Sequence, residues 1–163
     1  MKIDILFLDN DLNSHEEYFD NEMIKEYCET HSFEGKKNQL LSVPPSYSKS
    51  QNLTFLVGLG DNKVDNNFYD IGTLIGSKIK SDAEIKFLNF ENEKSLIIDG
   101  ILYAQYKFNS YKSEDDSSIN NITFKDIDSS VNEIKKDSVF WVRDLINTPA
   151  LDKSPEEFIN KVK

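Results

Sequence analysis

Short apolar runs alternate with longer amphipathic stretches along the chain. The runs have the lengths and residue types of strands, and they occupy residues 2–8, 38–43, 52–57, 84–90 and 121–124. The other stretches predict helices over residues 14–31, 68–79 and 93–111, and a long helix that ends before Pro149. Strands separated by helices imply right-handed crossovers. The pattern therefore predicts an α/β fold with three layers, in which helices cover both faces of a mixed or largely parallel sheet.

The spacing of apolar residues inside three of these helices predicts which side chains are buried. In the helix over residues 68–79, the predicted core positions are Phe68, Ile71, Leu74, Ile75 and Ile79. In the helix over residues 93–111, they are Ile97, Ile101, Ala104, Phe108 and Tyr111, with Leu96, Ile98 and Leu102 on other sides. In the long helix, they are Val131, Ile134, Trp141, Val142 and Leu145. Trp141 is therefore interpreted as a core residue.

The residues after Pro149 predict the start of another helix. Ser154 can cap it, Pro155 suits its first position, and Glu157 completes a capping box. The sequence ends nine residues after this cap, inside the predicted helix. We therefore expect residues 1–148 to form an N-terminal α/β domain, and residues 149–163 to form a junction and the first helix of a further domain.

Composition and charge exclude several classes of partner. The chain has 163 residues, 38% of them hydrophobic, which is enough for one domain with its own core. Its formal net charge of −10 repels nucleic-acid phosphates and anionic membrane surfaces, so we expect neither as a partner. Cys28 is the only cysteine, and no run approaches the roughly 18 apolar residues of a membrane span. These features predict a cytoplasmic location.

A possible calcium site follows the first predicted strand. Residues 9–13 (DNDLN) resemble the opening of a calcium loop, with oxygen ligands at alternate positions. The glycine that such a loop needs next is replaced by Ser14, and the closing position holds Asp20 rather than glutamate. We interpret this segment as a turn that ends the strand.

The remaining candidates also favour structural roles. Gly58-Leu59-Gly60 lies where a strand meets a turn, but the third glycine of a dinucleotide-binding loop and the Lys-Ser/Thr pair of a P-loop are both absent. The two histidines, His15 and His31, are separated by an acidic stretch, and Cys28 has no basic neighbour that would activate it. We assign no catalytic, cofactor-binding or metal-ligating residue to this chain.

Three segments resemble the leucyl aminopeptidase family. The strongest is RDLINTPALDKSPEEF, which resembles the domain junction of that family through Arg143, Asp144, Leu145, Asn147, Thr148, Pro149 and Pro155. Residues 56–60 (LVGLG) resemble the strand and turn of the family's N-terminal domain. Gly100, residues 106–108 (YKF) and residues 111–113 (YKS) resemble one of its helices. The first 50 residues show little that matches the family.

The resemblance implies that the chain is the non-catalytic, macro-domain-like N-terminal domain of a metal-dependent aminopeptidase. In that family, a C-terminal domain binds two divalent metal ions, zinc or manganese, that activate water against the N-terminal peptide bond of a peptide, and the subunits form hexamers. The ligands lie partly in an Asn-Thr-Asp-Ala-Glu-Gly-Arg motif that is absent here, because Pro149 follows Asn147-Thr148. We therefore expect no cofactor in this chain, and roles in subunit assembly and in access to the active site of the parent enzyme.

An alternative from another functional class is a stand-alone module that binds ADP-ribose or a related nucleotide. Such a module would use the turn at residues 58–60 together with an acidic residue after the first strand, Asp9 or Asp11. The short glycine pattern disfavours it.

Overall fold

The computed structural model of the chain describes residues 1–10, 12, 18–60, 67–90, 93–111 and 120–162. Strands and helices alternate through these ranges. The strands are β1 Lys2–Leu8, β2 Leu40–Val43, β3 Leu53–Gly58, β4 Ala83–Phe87 and β5 Ile122–Phe124. The helices are α1 Asn21–Thr30, α2 Phe68–Lys78, α3 Lys94–Tyr103, α4 Ser130–Asn147 and α5 Pro155–Val162, with 3₁₀ turns at Pro45–Tyr47 and Ala150–Asp152.

The strands form one mixed sheet in the order β2-β3-β1-β4-β5. The central strand β1 is parallel to both neighbours, so that Ile5 lies between Phe55 of β3 and Phe87 of β4. Strand β5 is parallel to β4, and β2 is antiparallel to β3. The predicted α/β fold with three layers and a mixed sheet is confirmed.

Side chains alternate between the two faces of β1 and supply two separate cores. Ile3, Ile5 and Phe7 point to the larger core, which α2 and α3 cover. Leu6 and Leu8 point to a smaller core, which contains Cys28 of α1. The apolar sequence of β1 follows from this position, because a central strand is buried on both sides.

Three glycines allow α2 and α3 to pack with their backbones in contact. A Cβ atom on Gly72 would lie 2.2 Å from the carbonyl oxygen of Ile97, and one on Gly100 would lie 2.3 Å from that of Tyr69. Gly76 makes a similar approach to α3. These distances leave no room for a side chain, so the closeness of the two helices depends on glycine.

Several predicted boundaries were wrong, and each has a local reason. Helix α1 begins at Asn21 rather than near residue 14, because Asp20 accepts hydrogen bonds from the amides of Glu22 and Met23 and caps it there. Strand β4 ends at Phe87 rather than at Phe90. Beyond it, the side chain of Asn89 takes the place of strand backbone, accepting from the Phe7 amide at 2.9 Å and donating to the Phe7 carbonyl at 2.7 Å.

Helix α3 is also shorter than predicted, ending at Tyr103 instead of residue 111. The side chain of Gln105, which is 6% exposed, donates to the carbonyl of Gly76 on α2 at 2.8 Å and so fixes the chain as it leaves the helix. Tyr111 is consequently exposed rather than buried, and Leu96 on the outer side of α3 is 44% exposed.

Candidate functional site on helix α4

Helix α4 contacts the rest of the domain through a narrow and partly polar face. Its buried residues are Asn132 and Phe140. The Asn132 side-chain amide donates to the carboxyl group of Asp99 on α3 at 2.7 Å and to the carbonyl of Ser95 at 2.9 Å. Lys135 forms an ion pair with the other oxygen of Asp99 at 3.2 Å. These contacts hold the first half of α4 against α3.

The second half of α4 is held by the residues of the junction motif. Arg143 donates to the carbonyl of Tyr103 at 3.0 Å, and its guanidinium lies over the Tyr106 ring at 5.3 Å. The Tyr106 hydroxyl donates to Asp144 at 2.8 Å and accepts from the Asn147 amide at 3.0 Å. Burial, with the hydrogen bond to Asp144, raises the pKa of Tyr106 above its ordinary value. Arg143 and Asp144 thus connect α4 to Tyr103 and Tyr106.

The opposite side of α4 is an exposed apolar surface, here called the outer face. Its members and their exposed fractions are Val131 62%, Ile134 67%, Trp141 41%, Val142 44% and Ile146 68%. Because successive helical residues are about 100° apart around the axis, Val131, Ile134 and Trp141 lie roughly opposite the buried side that carries Asn132 and Phe140, whereas Val142 and Ile146 lie nearer the flank of Asn132. The prediction that Val131, Ile134, Trp141 and Val142 face the core was wrong, and Leu145, the fifth predicted position, is half-buried. Helix α4 is amphipathic, as predicted, but its apolar side faces away from the rest of the domain.

The apolar surface continues into the segment that follows α4. Leu151 in the 3₁₀ turn is 96% exposed, and Phe158 and Ile159 on α5 are 45% and 52% exposed. Helix α5 begins at Pro155 as predicted, whereas the side chain of Glu157 lies outside the described part of the chain. The segment is tied to the domain by Tyr111, whose hydroxyl donates to Asp152 at 2.6 Å, and by Lys153, which donates to the carbonyl of Ile146.

The turn at Gly58-Leu59-Gly60 has a structural reason for each glycine. A Cβ atom on Gly58 would lie 2.1 Å from the carbonyl oxygen of Lys36, so backbone fills the space where a phosphate would have to approach. Gly60 has a φ of +70°, a conformation that favours glycine.

Two polar side chains lie close to that turn, at the end of β1. Among the described residues, Oδ1 of Asp9 and Oδ1 of Asn10 are buried without a hydrogen-bond partner. They lie at the carboxyl edge of the central strand, where the order of strands reverses and where ligands bind in many open α/β sheets. Asp11, Asn13, Ser14 and His15, the other candidates of this region, lie outside the described residues.

A shallow cleft lies over the part of the sheet that α1 leaves open. Its volume is about 240 Å³, and its lining includes Asp4, Ser50 and Asn52. Asp4 is 3% exposed, and its Oδ2 accepts from the Ser50 hydroxyl at 2.6 Å and from the Asn52 amide at 3.2 Å. Protein groups thus satisfy this carboxyl oxygen, and the cleft is given no ligand.

The comparisons with known proteins point to one group of solved structures. No protein-family model and no curated protein matches the sequence. Solved structures do match: a tomato leucine aminopeptidase mutant (TM-score 0.65, 14% identity) and the cytosol aminopeptidase of Coxiella burnetii (TM-score 0.65, 19% identity). The bottromycin maturation enzyme BotP also matches, with a TM-score of 0.72 at 12% identity. The chain has a leucine aminopeptidase fold. At these identities the likeness concerns the fold.

The extent of the match is as informative as its quality. It covers 98–99% of this chain but only 34–37% of the solved chains. The chain therefore corresponds to about a third of the length of the leucine aminopeptidase structures it matches. The resemblance drawn from the junction motif agrees with the α/β fold that these structures share with the chain.

Metal ligation was tested on the residues that the structure describes. BotP has been solved in complex with Mn. In the described ranges of this chain, no three His, Cys, Asp or Glu side chains lie close enough together to hold a metal ion. The described part of this chain therefore supplies no fitting ligand set, and we derive no metal-dependent step from it. Over the same ranges, no helix is long and apolar enough to cross a membrane.

The other sequence candidates are packed as structural residues. His31 is exposed, and its ring stacks on Tyr27 with centroids 4.1 Å apart. Cys28 is 3% exposed in the core beneath α1, and burial raises the pKa of its thiol to about 11. The thiolate is the reactive form of cysteine, so this side chain is poorly suited to nucleophilic chemistry.

We expect the buried thiol to make the stability of the domain fall at high pH. The unfolded thiol ionises near its ordinary pKa of 9.0, whereas the folded one keeps its proton to about 11. The stabilisation is complete below pH 9 and is lost as the pH rises through 11, by about 1–3 kcal/mol. Urea unfolding of the wild-type chain and of Cys28→Ala at pH 8 to 11 would measure it. Equal pH slopes in the two proteins would contradict the prediction.

Proposed function

We propose that this chain is the N-terminal, non-catalytic domain of a metal-dependent leucyl aminopeptidase. The observation that carries the proposal is the match over nearly the whole chain to about a third of the leucine aminopeptidase structures. Residues 1–148 form this domain, and residues 149–163 lead into a C-terminal catalytic domain. The junction residues Arg143, Asp144 and Asn147 support this division, since they fix the end of α4 from which that segment departs.

The activity belongs to the longer enzyme. It removes N-terminal amino acids from peptides with two divalent metal ions, zinc or manganese, bound in the catalytic domain. This domain binds no cofactor itself and contributes to subunit assembly, as a hexamer, and to controlling access to the active site. The enzyme is cytoplasmic, and its partners are peptides and copies of itself.

We expect the 163-residue chain to lack leucyl amide hydrolysis, and the complete product of its gene to have it. Both proteins would be assayed with leucyl p-nitroanilide, with and without added Mn²⁺ or Zn²⁺, and after treatment with a chelator. Metal-dependent turnover by the complete product alone is the expected result. The proposal fails if the complete product is metal-loaded and folded but inactive on amino-acyl amides, or if turnover survives in the 163-residue chain.

One observation favours a second function, a stand-alone macro-like module that binds ADP-ribose or a related nucleotide. The buried oxygens of Asp9 and Asn10 at the carboxyl edge of β1 lack partners among the described residues. The backbone that fills the space at Gly58 disfavours this function. A ligand that binds the folded state raises the melting temperature, so a saturable rise with micromolar ADP-ribose that is lost in Asp9→Ala would support the module. An unchanged melting temperature would exclude it.

A further inference from the structure

We infer that the outer face of α4, together with Leu151, Phe158 and Ile159, is the surface on which the remainder of the same polypeptide packs. This inference rests on the proposed function, because it takes the catalytic domain as the occupant. It implies that α4 lies between two domains and packs against both of them.

The distribution of apolar residues on α4 is the first argument. Single exposed apolar side chains are ordinary on a protein surface, but contiguous patches mark interaction sites. Five residues of α4, including its only tryptophan, share one side of the helix and are at least 41% exposed. The opposite side, which contacts the sheet domain, contains the polar Asn132 and Arg143. The more apolar side of α4 is thus the one without a partner among the described residues.

The second argument is that α4 cannot turn this side inward. Its rotation about its own axis is fixed near one end by Asn132 and Lys135 on Asp99, and near the other by Arg143 on Tyr103. Turning Ile134 or Trp141 toward the sheet would break these contacts and expose Asp99. The contacts that hold α4 therefore keep the outer face exposed in this domain.

The third argument identifies the occupant. The solved chains that share this fold are almost three times as long as the matched part, so a large polypeptide is available to cover the surface. The apolar surface also continues along the chain itself, from Ile146 to Leu151 and on to α5. A domain that follows this segment is tethered beside the outer face at an effective concentration on the order of millimolar, which a second copy in dilute solution does not reach.

Thiol labelling at one introduced cysteine per variant tests this inference. Ile134→Cys places a thiol on the outer face, and Lys80→Cys places one on an exposed loop beyond α2 as the matched control. Native Cys28 is buried and gives a low background. Each substitution would be made in the 163-residue chain and in the complete gene product, and alkylation by iodoacetamide would be followed by mass spectrometry at micromolar protein.

We expect the thiol at position 134 to react at least about tenfold more slowly in the complete product than in the 163-residue chain, with no change at position 80. Ile134→Glu gives an independent reading, since it should lower the melting temperature of the complete product while leaving that of the 163-residue chain unchanged. Equal labelling at position 134 in a complete product that hydrolyses leucyl amides would overturn the inference and leave the proposed function standing.

Other outcomes are equally decisive. Protection in the 163-residue chain that grows with protein concentration would show that a second copy occupies the surface, and would overturn the inference. Protection in a complete product that shows no peptidase activity would support the surface but contradict the proposed function. A reading frame that ends at Lys163 would overturn both.

Discussion

Replacing Gly100 with alanine is expected to destabilise the domain by about 3 kcal/mol or more, because the new methyl group would overlap the backbone of α2. The Cβ would lie 2.3 Å from the carbonyl oxygen of Tyr69 and 2.9 Å from Cα of Gly72. Neither atom belongs to a flexible side chain, so the two helices must separate. Gly72→Ala should act similarly, since its methyl group meets the Ile97 carbonyl. Alanine gains about 1 kcal/mol of helix propensity over glycine, which is too little to offset the overlap.

Urea unfolding of the 163-residue chain would measure the effect, with Thr73→Ala as the control. Thr73 is exposed on α2 beside Gly72, and its hydroxyl donates only to the Tyr69 carbonyl within the helix. We expect the control to stay within about 0.5 kcal/mol of wild type. A Gly100→Ala variant as stable as the control would mean that α2 and α3 are farther apart than described.

Replacing Asn132 with leucine is expected to lower the stability by about 2–3 kcal/mol. The change removes a hydrogen bond to the Asp99 carboxyl group, which is 6% exposed and would then depend on Lys135 alone. It also removes the hydrogen bond to the Ser95 carbonyl. The loss should detach the first half of α4, which can be followed by faster amide exchange in Ser130–Asn147 relative to α2.

Two further variants separate this mechanism from a general effect of substitution. Lys135→Met should cost no more than about 1 kcal/mol, because the Lys135 side chain is 47% exposed and water screens its ion pair. The double variant Asp99→Leu with Asn132→Leu should be more stable than Asn132→Leu alone, since both buried polar partners are then removed together. A double variant that is less stable than the single one would show that the Asp99 carboxyl group is not the source of the loss.

The strands and the sheet class could be predicted from sequence because a buried strand carries its own signal. β1 is apolar at five of its seven positions, as its place in the centre of the sheet favours. The pattern cannot show that the Asn89 side chain ends β4 by bonding to Phe7, because the two residues are 82 positions apart. The end of α3 was missed for the same reason, since it depends on the distant contact of Gln105 with Gly76.

The outer face of α4 shows the limit of periodicity in another way. The spacing of Val131, Ile134 and Trp141 identifies an amphipathic helix correctly, but it does not say what the apolar side packs against. Within the described residues, α3 contacts the side that carries Asn132 and Arg143. The junction motif is more informative about the packing of α4, because its polar residues are those that hold the end of the helix against the domain.

The central position of β1 also has a consequence for synthesis. β1 is translated before its parallel partners, β3 and β4, and its Asn89 contact lies 82 residues downstream. At about 5–20 residues per second, the ribosome needs several seconds or more to supply those partners. Throughout that interval the nascent chain carries the apolar segment KIDILFL without its sheet, and such segments are prone to intermolecular β pairing. We therefore expect the yield of folded protein to depend on the rate of translation and on whether a chaperone holds the nascent chain.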